Sequence, residues 1–482
     1  MKSYKKIMVI IFLGIAFSAA AHLDPVHAKS TLKTINLEEA IALAKQNSHD
    51  YKIALQRQKG DSEKVNQAWG MLLPVIESEA SMLRQGADTG FLSMTDGQYD
   101  IRVVQVKFGI NPGMFYNALQ MSRKAYTVST EDVKKIKSEI EYNVIESYFN
   151  LILAEEMITI RNETIALLAE NLKDVNNLYK TGSVPRYDLL QAQVQLKSQE
   201  PLLIEAENRY RLALDMFNYQ MGLDETIYRA DRSIIEKNTY RAAEKDIDAF
   251  VARVGGIALK NRPEIVQLKM KKEIAGHMKN INDAYYLWPT FTAGGYYGFS
   301  KALPNATEAY LPTKDMGPGG EAGLGYMNLS GIAGDGKWQD NWQVRLAATY
   351  RWSALLPFDS TRAQAREAKA RGLEAEEELI KVKRLITISI KSSYSSLLTS
   401  RQAIQSHREN VEKAKEGLRI ARESYRAGVI KNSELLGAQM ALTQAQAGYI
   451  NGVNGYYQSL AKLRKDIGTD DDTTIFGGEG NE

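Results

Sequence analysis

The sequence predicts a mainly α-helical protein with a small β part, an internal duplication in which long antiparallel helical hairpins alternate with pairs of strands. Three observations predict it. The segment LYKTGSVPRYDLLQAQVQL, Leu178 to Leu196, returns as SYRAGVIKNSELLGAQMAL, Ser424 to Leu442, with Tyr179, Gly182 and Gln193 meeting Tyr425, Gly428 and Gln439 at a constant offset of 246. The same offset joins Tyr148 to Tyr394 and Leu151 to Leu397, so the match runs ungapped through a helical stretch. Prolines fall at matching joints, Pro74 and Pro289 ahead of candidate strands, Pro112 and Pro357 behind them. A repeat this long, at one period, sets the architecture. Two copies are too few for a solenoid, so the apolar faces need another way to be buried.

Each copy reads as helix, strand, loop, strand, very long helix, turn, helix. Leu37 to Trp69 carries helical periodicity at Leu37, Ile41 and Ala44 and ends at Gly70; its counterpart runs from Ala249 to Leu287 and stops at Pro289. In the second copy Trp342, Val344, Leu346, Ala348, Tyr350 and Trp352 alternate with Gln343, Arg345, Ala347, Thr349 and Arg351, and Phe291, Ala293, Gly295, Tyr297 and Phe299 with small polar residues. That is the period of two of a strand with one apolar face. The first-copy strands, Val75 to Arg84 and Tyr99 to Phe108, are less clean, because Glu77, Glu79 and Arg102 fall among the apolar positions.

Proline denies a backbone donor and restricts its predecessor, which makes the four joints elbows between strand and helix. From Phe115 to Lys180 no proline interrupts a run bearing Ile136, Ile140, Val144, Tyr148 and Leu151. A continuous helix there would reach about 100 Å at the usual rise. Phe358 to Arg426 is its counterpart, and the chain returns through Asp188 to Tyr219 and Ser433 to Ile467. The Gly/Pro-rich stretch from Lys301 to Asp340 is followed by no Lys-Ser or Lys-Thr and opens no helix, so a surface loop is expected rather than a phosphate loop. The organisation expected is a first repeat over 29–222, a small belt element over 223–248, a second repeat over 249–468 and a flexible tail over 469–482.

Lys2, Lys5 and Lys6 precede an apolar run from Ile7 to Ala21, and Val26-His27-Ala28 offers small residues where a signal peptidase cuts, so residues 1–28 read as a secretory leader. No later run has the roughly 18 to 20 apolar residues a membrane helix needs. The absence of cysteine excludes disulfides, thiolate metal sites and a lipid-bearing cysteine. Removing the leader lowers the formal charge from +3 to +1, which argues against a nucleic-acid partner. His49, His277 and His407 lie far apart without a His-Glu metal spacing, and the methionines are scattered. Neither an enzyme nor a resident metal or cofactor is expected. The strands admit two readings, a soluble hairpin with one buried face or part of a membrane barrel. Four strands are too few to close a barrel, and open sheet edges are not permitted in lipid, so the second reading requires several chains.

The opening INLEEAIALAKQNS with its echo GGIALKNRPEI, the strand starts LLPVIES and LWPTFTA and the doubled hairpin motif resemble the TolC-like outer-membrane efflux and secretion proteins, across nearly all of the chain after the leader. The resemblance implies a homotrimer in which each chain gives four strands to a shared twelve-stranded barrel and its helices to a periplasmic tunnel. It implies a passive duct serving an efflux pump or a type I secretion system, with a periplasmic adaptor, an inner-membrane transporter of RND or ABC type and outer-membrane lipid as partners. It places adaptor docking at the hairpin turns, Thr181-Gly182-Ser183 and Ala427-Gly428-Val429, and an aperture at Asp188, Glu434, Tyr179 and Tyr425. The second acidic position of the motif is Gln191 and Gly437 here, and Ile430 stands where a base is usual. Gly182 and Gly428 also suit helix C-caps, and Asp188 and Glu434 also complement a helix start. The strand pattern nominates Phe291, Val344, Leu346 and Ala348 as lipid-facing. The alternative is a secreted or envelope-spanning structural hairpin protein that conducts nothing.

Overall fold

The computed structural model describes residues 33–88, 93–223, 227–236, 246–302, 336–469 and 472–476. The expected leader, most of the loop after Lys301, part of the belt segment and residues 477–482 lie outside the described residues. In chain order the elements are β1 (Lys33–Ile35), α1 (Leu37–Asn47), α2 (His49–Gly70), β2 (Val75–Asp88), β3 (Ser93–Ile110), α3 (Pro112–Lys180), α4 (Arg186–Lys197), α5 (Gln199–Met221), β4 (Tyr228–Ala230), α6 (Ser233–Glu236), α7 (Ile247–Asn261), α8 (Pro263–Leu287), β5 (Thr290–Ala302), β6 (Gln339–Thr349), a 3-10 turn (Trp352–Leu355), α9 (Ser360–Arg426), α10 (Asn432–Ile467) and α11 (Asp472–Phe476).

The duplicated order is present, with α3 and α9 unbroken over 69 and 67 residues. Three helices expected to be continuous are each divided. Extended Ser48 separates α1 from α2. Arg262 is extended ahead of Pro263, the conformation a residue before proline prefers, and separates α7 from α8. The first return helix restarts after Ser198, which leaves Pro201 in the first turn of α5, where no backbone donor is needed. β6 stops at Thr349, so Trp352 belongs to the 3-10 turn rather than to the strand. Two short strands beyond the four expected, β1 and β4, pair in parallel. The flexible tail expected from residue 469 does not hold for α11, because Ile475 is buried and its carbonyl accepts from the Arg253 guanidinium.

The chain forms two compact units. The first takes Met1–Asn47, Val144–Asn238 and Arg408–Asn454, and its core sits under the β1–β4 pair. There Tyr148 packs edge-on against Phe149 and Phe217. Its hydroxyl donates to the Asp231 carbonyl at 2.9 Å and accepts from the Asp231 amide at 3.0 Å. Burial pushes this phenol well above the ordinary tyrosine range, so it stays a neutral donor.

The second unit takes Ser48–Asn143, Thr239–His407 and Gly455–Glu482 and contains the four-stranded sheet, order β2-β3-β5-β6, with every neighbour antiparallel. Its helical part closes on a parallel stack of Phe250 on Tyr394, ring centres 3.6 Å apart. In the sheet, the awkward first-copy charges are explained by a bulge. Between Arg102 and Gln105 the register shifts against both β2 and β5, so the pair Val103-Val104 contains one residue more than its neighbours. The extra residue turns the polar side chains of β3 to one face. Glu79, Arg102, Gly298 and Asn341 form one cross-strand row, Glu77, Gln105, Tyr296 and Gln343 the next, and Val75, Lys107, Gly294 and Arg345 the next.

The β2 and β3 charges on that face are paired. Arg102 reaches Glu79 at 3.1 Å and Asp100 at 3.2 Å and lies over the Tyr296 ring, and Lys107 pairs with Glu77. The opposite face carries Val104, Tyr297 and Trp342, then Ile76, Val106, Gly295 and Val344, then Phe108, Ala293 and Leu346, then Ile110, Phe291 and Ala348. Among the described residues no further strand pairs with β2 or β6, so both sheet edges are open.

Gly298 pairs with Arg102, beside the bulge. A Cβ there would run into the Ile101 carbonyl and lie 2.9 Å from the Arg102 Cα. Gly298→Val is expected to cost about 1–3 kcal/mol through overpacking against backbone. The measurement is the yield of folded protein, which should fall well below wild type.

Candidate functional site

The helical hairpins of the first unit end in two turns with the same construction. Gly182 and Gly428 both have φ of 74°, the left-handed region that glycine enters without a Cβ penalty. In one turn the Gly182 amide donates to Tyr179 and the Ser183 amide to Leu178; in the other Gly428 donates to Tyr425 and Val429 to Ser424. These are Schellman caps, so both glycines end a helix as well as turning the chain. Thr181 adds a hydroxyl bond to the Leu178 carbonyl at 2.9 Å and sits 3.0 Å from the Ser183 hydroxyl, a reinforcement that Ala427 and Val429 do not have. Thr181, Gly182, Ser183, Ala427, Gly428 and Val429 are all solvent-exposed.

Below the turns the two hairpins share one core. Val175, Ala192, Leu418, Tyr425, Leu435 and Leu442 are buried together, flanked by Leu178, Val184, Leu189, Ile430 and Ala438. Alongside it α3 and α10 meet through polar side chains at helical spacing. Thr164 contacts the Thr443 hydroxyl at 2.8 Å, the Gln439 amide donates to the Leu167 carbonyl, and Asn171 donates to Asn432 at 3.0 Å. This seam was missed in the sequence, where only the offset of Gln439 from Gln193 pointed to it. Ile430 packs against the core, and positive charge enters instead from Arg422 and Arg426, each 3.4 Å from Glu170. These ion pairs are largely exposed, so each contributes under about 1 kcal/mol.

The four residues expected at the aperture are not equivalent in space. Asp188 and Glu434 occupy the same position, the third residue of α4 and of α10, where an acid complements the helix dipole. Asp188 is half-buried and Glu434 exposed. Tyr179 is exposed, whereas Tyr425 lies in the shared core with its hydroxyl facing no protein hydrogen-bond partner. Burial raises the Tyr425 phenol above its ordinary value, and the negative charges of Asp188 and Asp174 raise it further. The structure therefore brings Asp188 and Tyr425 into one electrostatic neighbourhood across the two hairpins. The sheet residues nominated as lipid-facing, Phe291, Val344, Leu346 and Ala348, are all exposed and share the apolar face described above. Among the described residues no helix is long and apolar enough to cross a membrane, and no cluster of side chains is arranged to hold a metal.

A sheet apolar on one face and polar on the other, open at both edges and attached to doubled helical hairpins, defines a barrel-forming envelope protein. The family model described as outer membrane efflux protein matches residues 40–215 and 256–469, and the chain belongs to that family. Its place is accordingly the outer membrane, with the helical part extending into the periplasm. No curated protein matched the chain by sequence. Among solved structures it is similar to the Campylobacter jejuni CmeC outer membrane channel, with 18% identity, a TM-score of 0.68 and coverage of 92% of this chain and 87% of that one. It is also similar to the Neisseria gonorrhoeae MtrE outer membrane channel in its open state, with 16% identity, a TM-score of 0.65 and coverage of 90% and 89%. A third is the outer membrane protein VceC of Vibrio cholerae, with 15% identity, a TM-score of 0.66 and coverage of 90% and 96%.

Two outcomes are expected. Replacing Gly182 or Gly428 by alanine forces a left-handed Cβ and costs about 1–2 kcal/mol per turn, read as faster amide hydrogen exchange in 178–183 or 424–429. Because the Tyr425 phenol is raised in the fold, its stabilising effect is complete below its ordinary value of 10.0 and is lost as pH rises through the raised value. Alkaline loosening of the tip should therefore begin above pH 10 and shrink in Tyr425→Phe.

Proposed function

We propose that three copies of this chain assemble into a channel that forms the outer-membrane exit duct of a tripartite efflux pump or a type I secretion system. The observation that carries the proposal is the sheet: its apolar face is exposed in one chain, and among the described residues its two edge strands have no partner. In lipid each unsatisfied backbone group costs several kcal/mol, so the edges must close on other copies. β2 and β6 run in opposite directions, and an edge-to-edge join of successive copies keeps every pair antiparallel. Three copies of four strands make a twelve-stranded barrel with Phe291, Val344, Leu346 and Ala348 toward lipid and the Arg102 row toward a wet lumen. A second feature supports assembly: α4 and α5 expose Tyr187, Leu190, Val194, Ile204, Leu212, Met216 and Tyr219, a stripe suited to a neighbouring helix.

In this reading the two repeats, 29–222 and 249–468, supply quasi-equivalent staves of the tunnel, with 223–248 as a belt between them. The exposed turns at Thr181-Gly182-Ser183 and Ala427-Gly428-Val429 receive a periplasmic adaptor, which couples the duct to an inner-membrane transporter of RND or ABC type. Asp188 and Glu434, three of each per assembly, form the acidic ring of the aperture; Tyr425 backs Asp188 from the core and Tyr179 faces the opening. The chain performs no chemistry on what passes.

Native mass spectrometry of the protein extracted from outer membranes tests the assembly, and three chains per particle are expected. A monomer, or release without detergent, would remove the channel reading. In planar bilayers Asp188→Asn combined with Glu434→Gln should move the reversal potential away from cation selectivity. Leu346→Arg should cost about 2–4 kcal/mol per chain at mid-membrane and abolish membrane assembly.

A further inference from the structure

Building on the three-copy barrel proposed above, the geometry points to an apolar clasp between neighbouring copies, made by two Leu-Leu-Pro elbows at the helix end of the barrel. One elbow, Leu72-Leu73-Pro74, leads into β2; the other, Leu355-Leu356-Pro357-Phe358, leads out of β6. They belong to opposite edges of the sheet, and an antiparallel join of β6 to the β2 of the next copy brings the end of one beside the start of the other.

Both elbows are ordered and turned outward. The Leu72 and Leu73 amides donate to Trp69 and Gly70, the Leu356 amide donates to Ser353, and the Arg366 guanidinium donates to the Pro357 carbonyl at 3.2 and 3.3 Å. Yet Leu73 is 69% exposed and Phe358 95% exposed. Leu355, Leu356 and Phe358 thus form a run of exposed apolar side chains, and a contiguous apolar patch marks a surface that another surface covers.

The chain already contains the corresponding joint between its own two repeats. There β3 leaves through Asn111-Pro112-Gly113 and β5 is entered through Trp288-Pro289, and the pair is closed. The Asn111 amide donates to the Ala284 and Trp288 carbonyls at 3.2 and 3.0 Å, and the Trp288 ring fills the space over Gly113 so fully that a Cβ on Gly113 would lie 2.6 Å from it. By the duplication, Leu73 stands before Pro74 as Trp288 stands before Pro289, and Phe358 follows Pro357 as Gly113 follows Pro112. The large and small partners are exchanged: tryptophan over glycine inside the chain, leucine against phenylalanine between chains. Each joint therefore has one bulky ring and one smaller group to receive it, and the partner that fits the exposed Phe358 is Leu73 of a second copy. A contact of this kind is heterologous and closes into a ring after three copies.

The chain lacks cysteine, so introduced thiols are the only ones present. Leu73→Cys combined with Phe358→Cys, oxidised in outer membranes, should give disulfide-linked dimers and trimers in denaturing gels, while either single variant gives neither. A size-exchange series provides a second readout. Leu73→Trp alone, which overfills the joint, and Phe358→Gly alone, which empties it, should each lower the temperature at which the detergent-extracted trimer dissociates. The double variant recreates the internal joint and should recover most of the loss.

The clasp is overturned if the trimer forms, both thiols react with a maleimide and no cross-link appears, or if the two size changes are additive. Labelling of Phe358→Cys by a lipid-phase probe in an intact trimer without cross-linking would show lipid as the covering surface and equally overturn it. Absence of a trimer in the unmodified protein would defeat the barrel reading first, a separate result.

Discussion

The rest of the structure depends on the need to satisfy backbone hydrogen bonds at the edges of a sheet whose apolar face looks outward. Within the chain, β2, β3, β5 and β6 satisfy one another, and the polar face is balanced by Arg102 with Glu79 and Asp100 and by Lys107 with Glu77. What remains among the described residues is the outer edge of β2 and of β6, with no strand paired to either. Water can satisfy them; lipid cannot. A protein of the outer membrane with these edges must finish its sheet with other chains, and the exposed helical stripes and elbows follow as surfaces that the same closure would cover.

The helical part meets a different constraint. A helix as long as α3 or α9 has far more side-chain surface than one neighbour can cover, so its buried residues form one stripe, which includes the Tyr148 core beneath β1 and β4 and the tip core around Val175 and Tyr425. Alongside the tip core some contacts are polar, as at Thr164 with Thr443 and Asn171 with Asn432. A polar seam supplies directional pairing without the strong adhesion of a continuous apolar stripe. That is a physical basis for hairpins that keep their register and can still separate.

Duplication produced equivalent positions, and the fold has given them unequal duties. Gly182 and Gly428 remain alike because a left-handed turn accepts little else. Tyr179 and Tyr425 have diverged, one exposed and one in the core, because the neighbours of their hairpins differ. The joints have diverged most. The one between the repeats is sealed by Trp288 over Gly113, whereas the one at the sheet edges presents Leu73 and Phe358 outward. Divergence of this kind is expected where one copy of a repeat meets the other copy on one side and a different molecule on the other.

The sequence by itself determined the order of elements, the duplication, the strand faces of the second copy and the turns at Gly182 and Gly428. These are local properties, carried by a period of two, a constant offset of 246 and residues with restricted backbone freedom. It did not determine the first-copy strands, where a single extra residue at Val103-Val104 inverts the faces, nor the breaks at Ser48, Ser198 and Arg262, nor the parallel pairing of β1 with β4. Nor did it separate Tyr425 from Tyr179 or reveal the Asn171–Asn432 seam. Those features are set by contacts between residues far apart in the chain, and the energy of such contacts is decided by which neighbours meet, something that no local pattern records.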